Sequence, residues 1–132
     1  MADRTVLVAV SRDEADAEHV TDTLLDVYRS DEVDVVVTHC FTNNPEGASA
    51  SQLGAVRHVV ETLEDDGFEV AIDERSGDPA EEVLEAAADV DADLICLGGR
   101  RRSAAGKMVF GSTAQAVLHD ADRPVVLAPG LS

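Results

Sequence analysis

The residues most able to do chemistry lie between Gly98 and Thr113, in the run GGRRRSAAGKMVFGST. Four of the chain's ten basic residues, Arg100, Arg101, Arg102 and Lys107, fall in this stretch. Glycines let a backbone approach a ligand closely and take positive φ, so that amides can point inward. Gly111, Ser112 and Thr113 stand where a helix opens, which offers free amides and two hydroxyls at the positive end of a helix dipole. The arginines and the lysine can neutralise charge on a phosphate chain, with Arg102 and Lys107 as an outer clamp. The chemistry implied is capture of a phosphorylated or otherwise anionic ligand. The plainer reading is a solvated basic loop paired with acidic neighbours.

Two common phosphate loops are excluded. A P-loop needs glycine at 101 and Ser or Thr at 108, where Arg101 and Met108 stand. A dinucleotide fingerprint belongs after the first strand, where Ser11-Arg12-Asp13 has no glycine. The four histidines include no ligand pair at helical spacing, and His39 beside Cys40 is too sparse for a metal site, so no metal centre is expected. Cys40 and Cys96 lie in apolar strand-like runs and read as free buried thiols rather than a disulfide.

Five short runs must position this segment: Thr5–Val10, Val33–Phe41, Phe68–Arg75, Asp93–Leu97 and Pro124–Ala128. The first, second and fourth are nearly continuous apolar runs, as strands covered on both faces require. The third alternates, with Phe68, Val70 and Ile72 against Glu69 and Asp73, which suits a sheet edge. Between the strands run apolar stripes at helical spacing: Ala17, Val20, Leu24 and Val27; Leu53, Val56, Val60 and Leu63; Val83, Ala87 and Val90; and Ala114, Val117 and Leu118. Asp78-Pro79-Ala80-Glu81 reads as a capped helix start. The alternation predicts an α/β fold, a single open parallel five-stranded sheet with right-handed crossovers and helices on both faces. No linker or repeat interrupts residues 1–132, which read as one domain. Asn43–Ala50, with Pro45 and Gly47, reads as a polar surface loop and is the candidate for a lid.

The formal net charge is -17, from 27 acidic and 10 basic residues, and nine of the ten are arginine. Such a surface repels nucleic acid and anionic membrane. Carboxylates in place of surface lysines fit a salt-rich cytoplasm, so a halophilic source is expected. The start Met1-Ala2-Asp3-Arg4 lacks a signal-peptide pattern and no apolar run reaches membrane-spanning length, so a cytoplasmic location is expected.

The chain resembles the universal stress proteins. Their nucleotide loop is a strand, then Gly-x-x-Gly, nine residues, then Gly-Ser/Thr opening the last helix, and the stretch from Gly98 to Gly111-Ser112 keeps its spacing and looks like it. Val6–Val10 resembles their first strand, Val37-Thr38-His39-Cys40 their second, Gly77-Asp78-Pro79 the turn before their third helix, and Asp122–Val126 the approach to their last strand. The resemblance implies an adenine nucleotide alpha hydrolase-like sheet of order 3-2-1-4-5, with its crevice between strands 1 and 4. It also implies that Gly98, Gly111, Ser112 and Thr113 contact phosphates and ribose, with Arg100 and Arg101 beside them. Ala9, Val10, Ser11 and Cys40 would then line the adenine side.

The chain departs from that pattern twice: Arg101 stands at the second loop glycine, and Ser11 at an acidic position of ATP-binding members. The function implied is an adenine-nucleotide-binding stress regulator, holding ATP or AMP, with Mg²⁺ if ATP is bound. The alternative is a stress protein that has lost nucleotide and serves as a protein-interaction module. A phosphoacceptor receiver domain fits poorly, because Pro129-Gly130 occupies the place of its lysine. No base stands beside an oriented nucleophile, and Asp13 is the nearby carboxylate, so at most very slow ATP hydrolysis is expected. The apolar last strand, Val125, Val126, Leu127 and Ala128, would form an unprotected sheet edge, and the resemblance implies a two-fold homodimer through it.

Overall fold

The computed structural model describes residues 2–42, 53–102, 106 and 108–128, with only the backbone of Arg100, Arg101, Arg102 and Met108. The loop at Asn43–Ala50 lies outside the described residues. Strands β1 (Arg4–Ala9), β2 (Val33–Phe41), β3 (Val70–Ser76) and β4 (Leu94–Leu97) alternate with helices α1 (Glu14–Val27), α2 (Gly54–Asp65) and α3 (Pro79–Asp89). After β4 come two three-residue strands, β5 (Arg100–Arg102) and β6 (Met108–Phe110), then α4 (Ser112–Asp120) and β7 (Val125–Leu127). The main sheet is parallel throughout, in the order β3-β2-β1-β4-β7. With β7 as its fifth strand, this is the 3-2-1-4-5 arrangement expected.

Strand alternation divides the core between two faces. Val6 and Val8 of β1 and Cys96 of β4 pack with Ala17, Val20 and Leu24 of α1 and Val56, Val59 and Leu63 of α2. Leu7, Ile95 and Leu97 point the other way, onto Val83, Ala86 and Ala87 of α3 and Ala114 and Val117 of α4. Each such aliphatic side chain contributes about 1.5–3 kcal/mol when fully buried. The chain therefore leaves β1 toward one face and β4 toward the other, which opens a crevice between their carboxyl ends.

Several boundaries and faces differ from expectation. The third strand begins at Val70, because Phe68 turns into the core, 3% exposed, and its amide caps α2 by donating to the Leu63 carbonyl. Ile72 is 42% exposed because β3 is an edge strand, paired to β2 alone. Val27 and Leu118, assigned to inner stripes, are exposed at the ends of their helices, and Val59 rather than Val60 is fully buried. The ribbon of β5 and β6 was not foreseen.

Two arginines fix α3, which forms one wall of the crevice. Arg75 on β3 bonds Asp73 at 2.8 Å and Asp89 at 2.6 Å, with Glu82 at 3.7 Å. Burial draws its guanidinium downward, but the bonds to Asp89 and Asp73 outweigh that and hold it above its ordinary value. Asp73 also accepts from the Thr38 hydroxyl at 2.7 Å, tying the network to β2. Arg123 also acts at the C-terminus of α3, donating to the carbonyls of Ala87 and Ala92 at 2.9 and 2.7 Å. Among the described residues no helix is long and apolar enough to cross a membrane.

Candidate functional site

The pairing of β1 with β4 sets Ala9 beside Leu97, so Val10-Ser11 and Gly98-Gly99 leave the sheet side by side. Gly98 presses on α1: a Cβ there would stand 3.1 Å from Cγ of Asp16. Gly99 faces the other way, with a φ of +101° and the position of its missing Cβ 3.4 Å from Cβ of Ala114. The two bare residues let the first turns of α1 and α4 close on the end of β4 from opposite sides. This is the physical requirement for the glycine pair.

Beyond it the chain forms the antiparallel ribbon, pairing Arg100 with Phe110, Arg101 with Val109 and Arg102 with Met108. The ribbon returns to its base through the Gly111 amide, which donates to the Gly99 carbonyl at 2.8 Å. This corrects one expectation. The Gly111 amide is committed to closing the ribbon, and the amides left for a ligand are those of Ser112, Thr113 and Ala114. The N-cap of α4, Gly111, has no side chain with which to cap it, and the first-turn amides of a helix have no intrahelical partner. In contrast, α1 is closed by the Asp13 carboxylate, which accepts from the Ala15 and Asp16 amides at 2.8 and 3.2 Å. The Ser11 hydroxyl accepts from the Asp13 amide at 3.2 Å and lies 3.5 Å from the Asp16 carboxylate.

These elements enclose a cavity of about 680 Å³, a size suited to a small organic ligand. Ala9, Val10, Ser11, Cys40, Gly98, Gly111, Ser112 and Thr113, drawn from four separate parts of the sequence, all line it. Arg100 and Arg101 lie in the ribbon that follows Gly99, but their side chains, that of Arg102 and the whole of Lys107 lie outside the described residues. The dimer candidates Val125, Val126 and Leu127 are half-buried on β7, while Ala128 is fully buried and donates its amide to the Leu97 carbonyl.

Sequence reasoning missed other lining residues: Arg12, Asp16, Thr38, His39, Phe41, Pro79 and Val83. His39, 4% exposed, donates from Nδ1 to the Val10 carbonyl at 2.7 Å and so pins the end of β1 to β2. Its Nε2 is left as an acceptor sealed from solvent, with no partner among the described residues. The His39 ring meets Phe41 edge-on at 4.6 Å, and the Arg12 guanidinium lies 6.0 Å over the Phe41 ring. Burial pushes the Cys40 thiol up, with help from the Glu82 and Asp78 carboxylates, so it stays protonated and a weak nucleophile. Among the described residues no group of His, Cys, Asp and Glu could hold a metal ion. The readable clue to Asp16 was its place four residues before Val20, an acid on an apolar stripe.

The sequence model of the Universal stress protein family matches residues 3–129, almost the whole chain. The chain belongs to the universal stress protein family. A universal stress protein of Mycolicibacterium smegmatis is 36% identical over 80 residues, covering 60% of this chain and 62% of that protein. The aligned stretches span between 34% and 62% of the curated relatives' own lengths. The structure of a universal stress protein from Archaeoglobus fulgidus superposes with a TM-score of 0.77 at 27% identity, covering 95% of this chain and 98% of that one. Another structure from Archaeoglobus fulgidus, a universal stress protein in complex with dAMP, gives 0.72 at 23% identity and covers 97% and 99%. In this universal stress protein all of β1 through β7 lies within the matched residues.

Proposed function

We propose that the protein is a stress-response regulator that binds an adenine nucleotide in the crevice between β1 and β4 and acts as a homodimer. The observation that carries this reading is the uncapped N-terminus of α4 bordering a ligand-sized cavity beside Gly98 and Gly99. A phosphate there accepts from the amides and hydroxyls of Ser112 and Thr113 at the positive end of the helix. The purine lies against Ala9, Val10, Ser11 and Cys40, with ATP or AMP as the ligand and Mg²⁺ accompanying ATP. Arg100, Arg101, Arg102 and Lys107 supply charge in this reading. The dAMP complex of the Archaeoglobus fulgidus relative supports an adenine ligand. The outer edge of β7, half-buried and paired only with β4, supports assembly of two copies edge to edge.

A second reading, an interaction module without nucleotide, is favoured by one observation: Asp13 and Asp16 both line the cavity and oppose an anion. Calorimetric titration of ATP, ADP and AMP in molar KCl, with and without Mg²⁺, separates the two. Saturable binding that Gly111→Leu abolishes, while the circular dichroism stays native, supports the nucleotide reading. No heat from any nucleotide favours the module. A hydrodynamic mass near one chain at micromolar concentration would remove the dimer. We also read the charge of -17 as an adaptation to a salt-rich cytoplasm, in which screening relieves self-repulsion. The thermal midpoint then rises with KCl; indifference to molar KCl would remove this reading.

A further inference from the structure

Arg12 is an exposed cation on the wall of the cavity, in a chain whose net charge is -17. Its place in the turn after β1 is set from both sides. The Ser11 hydroxyl accepts from the Asp13 amide at 3.2 Å, and the Asp13 carboxylate accepts from the amides of Ala15 and Asp16. Among the described residues no carboxylate pairs with the Arg12 guanidinium, which lies 6.0 Å over the Phe41 ring instead. That ring is a firm perch. Phe41 is 4% exposed and meets His39 edge-on at 4.6 Å, and His39 is tied to the Val10 carbonyl at 2.7 Å.

The perch decides which end of a ligand Arg12 meets. β1 lies between β2 and β4, and neighbouring strands are about 4.8 Å apart, so Phe41 on β2 stands roughly 10 Å across the sheet from the end of β4. The amides of Ser112 and Thr113 open at that far end, where Gly99 abuts Ala114. A nucleotide anchored there by its phosphate extends its base toward β2. Guanidinium planes stack on aromatic faces, and every base offers such a face. We infer that Arg12 is a base-binding residue, whose guanidinium, perched on Phe41, stacks on the ring of the bound nucleotide rather than clamping its phosphate. The inference rests on the nucleotide reading above and adds the contact that holds the base.

The test is calorimetric titration of adenosine and AMP into the native chain, Arg12→Met, Arg12→Lys and Arg12→Tyr, in molar KCl with EDTA. Arg12 is exposed, so all three variants should keep the native circular dichroism. Loss of a stacked cation predicts that Arg12→Met weakens adenosine and AMP by the same factor, about three- to tenfold. Arg12→Lys, charged but not planar, does no better, whereas Arg12→Tyr, planar but uncharged, recovers most of the loss for both ligands. A phosphate clamp gives the reverse: Arg12→Met weakens AMP alone and Arg12→Lys restores it, which overturns the inference. Equal losses in all three variants point to a structural role and overturn it too, as does no loss in any, with the nucleotide reading still standing. Where the native chain binds AMP but no adenosine, recovery of AMP by Arg12→Tyr supports the inference and its failure to recover overturns it. A native chain that binds neither ligand overturns both readings.

Discussion

Cys96 makes the core measurable through pH. It is 0% exposed on β4, and burial pushes its thiol from the ordinary 9.0 up to about 12. Between those values the unfolded chain releases a proton that the folded chain keeps. The unfolded state then binds fewer protons, so stability must fall as pH rises, starting near the unfolded value. The loss is about 1.4 kcal/mol by roughly pH 10 and approaches about 4 kcal/mol by roughly pH 12. Cys40 is also raised and contributes to the same slope, so the comparison is made in a Cys40→Ala background. Urea unfolding in molar KCl with reductant, from neutral to about pH 10, is measured for Cys40→Ala and for Cys40→Ala with Cys96→Ala. The difference between the two should change by about 1.4 kcal/mol across the range, against the chain that retains Cys96. Parallel curves would refute the reasoning, since they would mean that Cys96 meets water or ionises alike in both states.

Other consequences follow from the supports of the crevice. Arg75→Met leaves Asp73, Glu82 and Asp89 facing one another without their cation; the loss is about 2–4 kcal/mol at low salt and less in molar KCl. Equal losses in both salts would argue against an electrostatic cause. Gly99→Ala places a side chain at a φ of +101° and toward Ala114, which costs about 1–3 kcal/mol in urea unfolding and weakens AMP binding measured by calorimetry. Arg123→Met strips a charged donor from the carbonyls of Ala87 and Ala92, for about 1.5–3 kcal/mol. Faster amide exchange at Val90 to Ala92, with the sheet unchanged, is the local sign to look for.

The architecture was readable because its signals are periodic and redundant. Continuous apolar runs marked β1, β2 and β4 as doubly covered, and the broken alternation of Phe68 to Asp73 marked β3 as an edge. The cap at Asp78 was readable residue by residue, and the structure places its carboxylate 3.0 Å from the Glu81 amide. The ribbon was not readable, because a run of three arginines carries neither alternation nor β-branched enrichment, and Met108–Phe110 is too short to mark a strand by itself. The commitment of the Gly111 amide followed from that ribbon and was hidden with it. Val27 and Leu118 show the limit of stripe counting: spacing identifies a face, but the last turn of a helix can run past the sheet that covers it. The lining residues from α1 and α3 carry neither a glycine nor a strand-end signal, because they come from near the starts of helices.

Two helix starts meet at the end of β4, and their contrast explains the site better than the basic residues do. The amides of α1 are satisfied by Asp13, a carboxylate belonging to the chain itself. Those of α4 begin with glycine, serine and threonine, and its N-cap Gly111 brings no side chain to cap them. A chain with 27 acidic residues has no shortage of carboxylates with which to cap a helix. With glycine at the N-cap, the missing side-chain cap costs only about a few tenths of a kcal/mol relative to Ser, Thr, Asp or Asn. Under the nucleotide reading proposed above, a start left open at the mouth of a cavity serves an outside anion. At a screening length of about 3 Å in molar salt, the acidic surface no longer repels that anion from afar, while amides in direct contact keep their hold. Acid excess and anion capture are compatible in one molecule because they act at different distances.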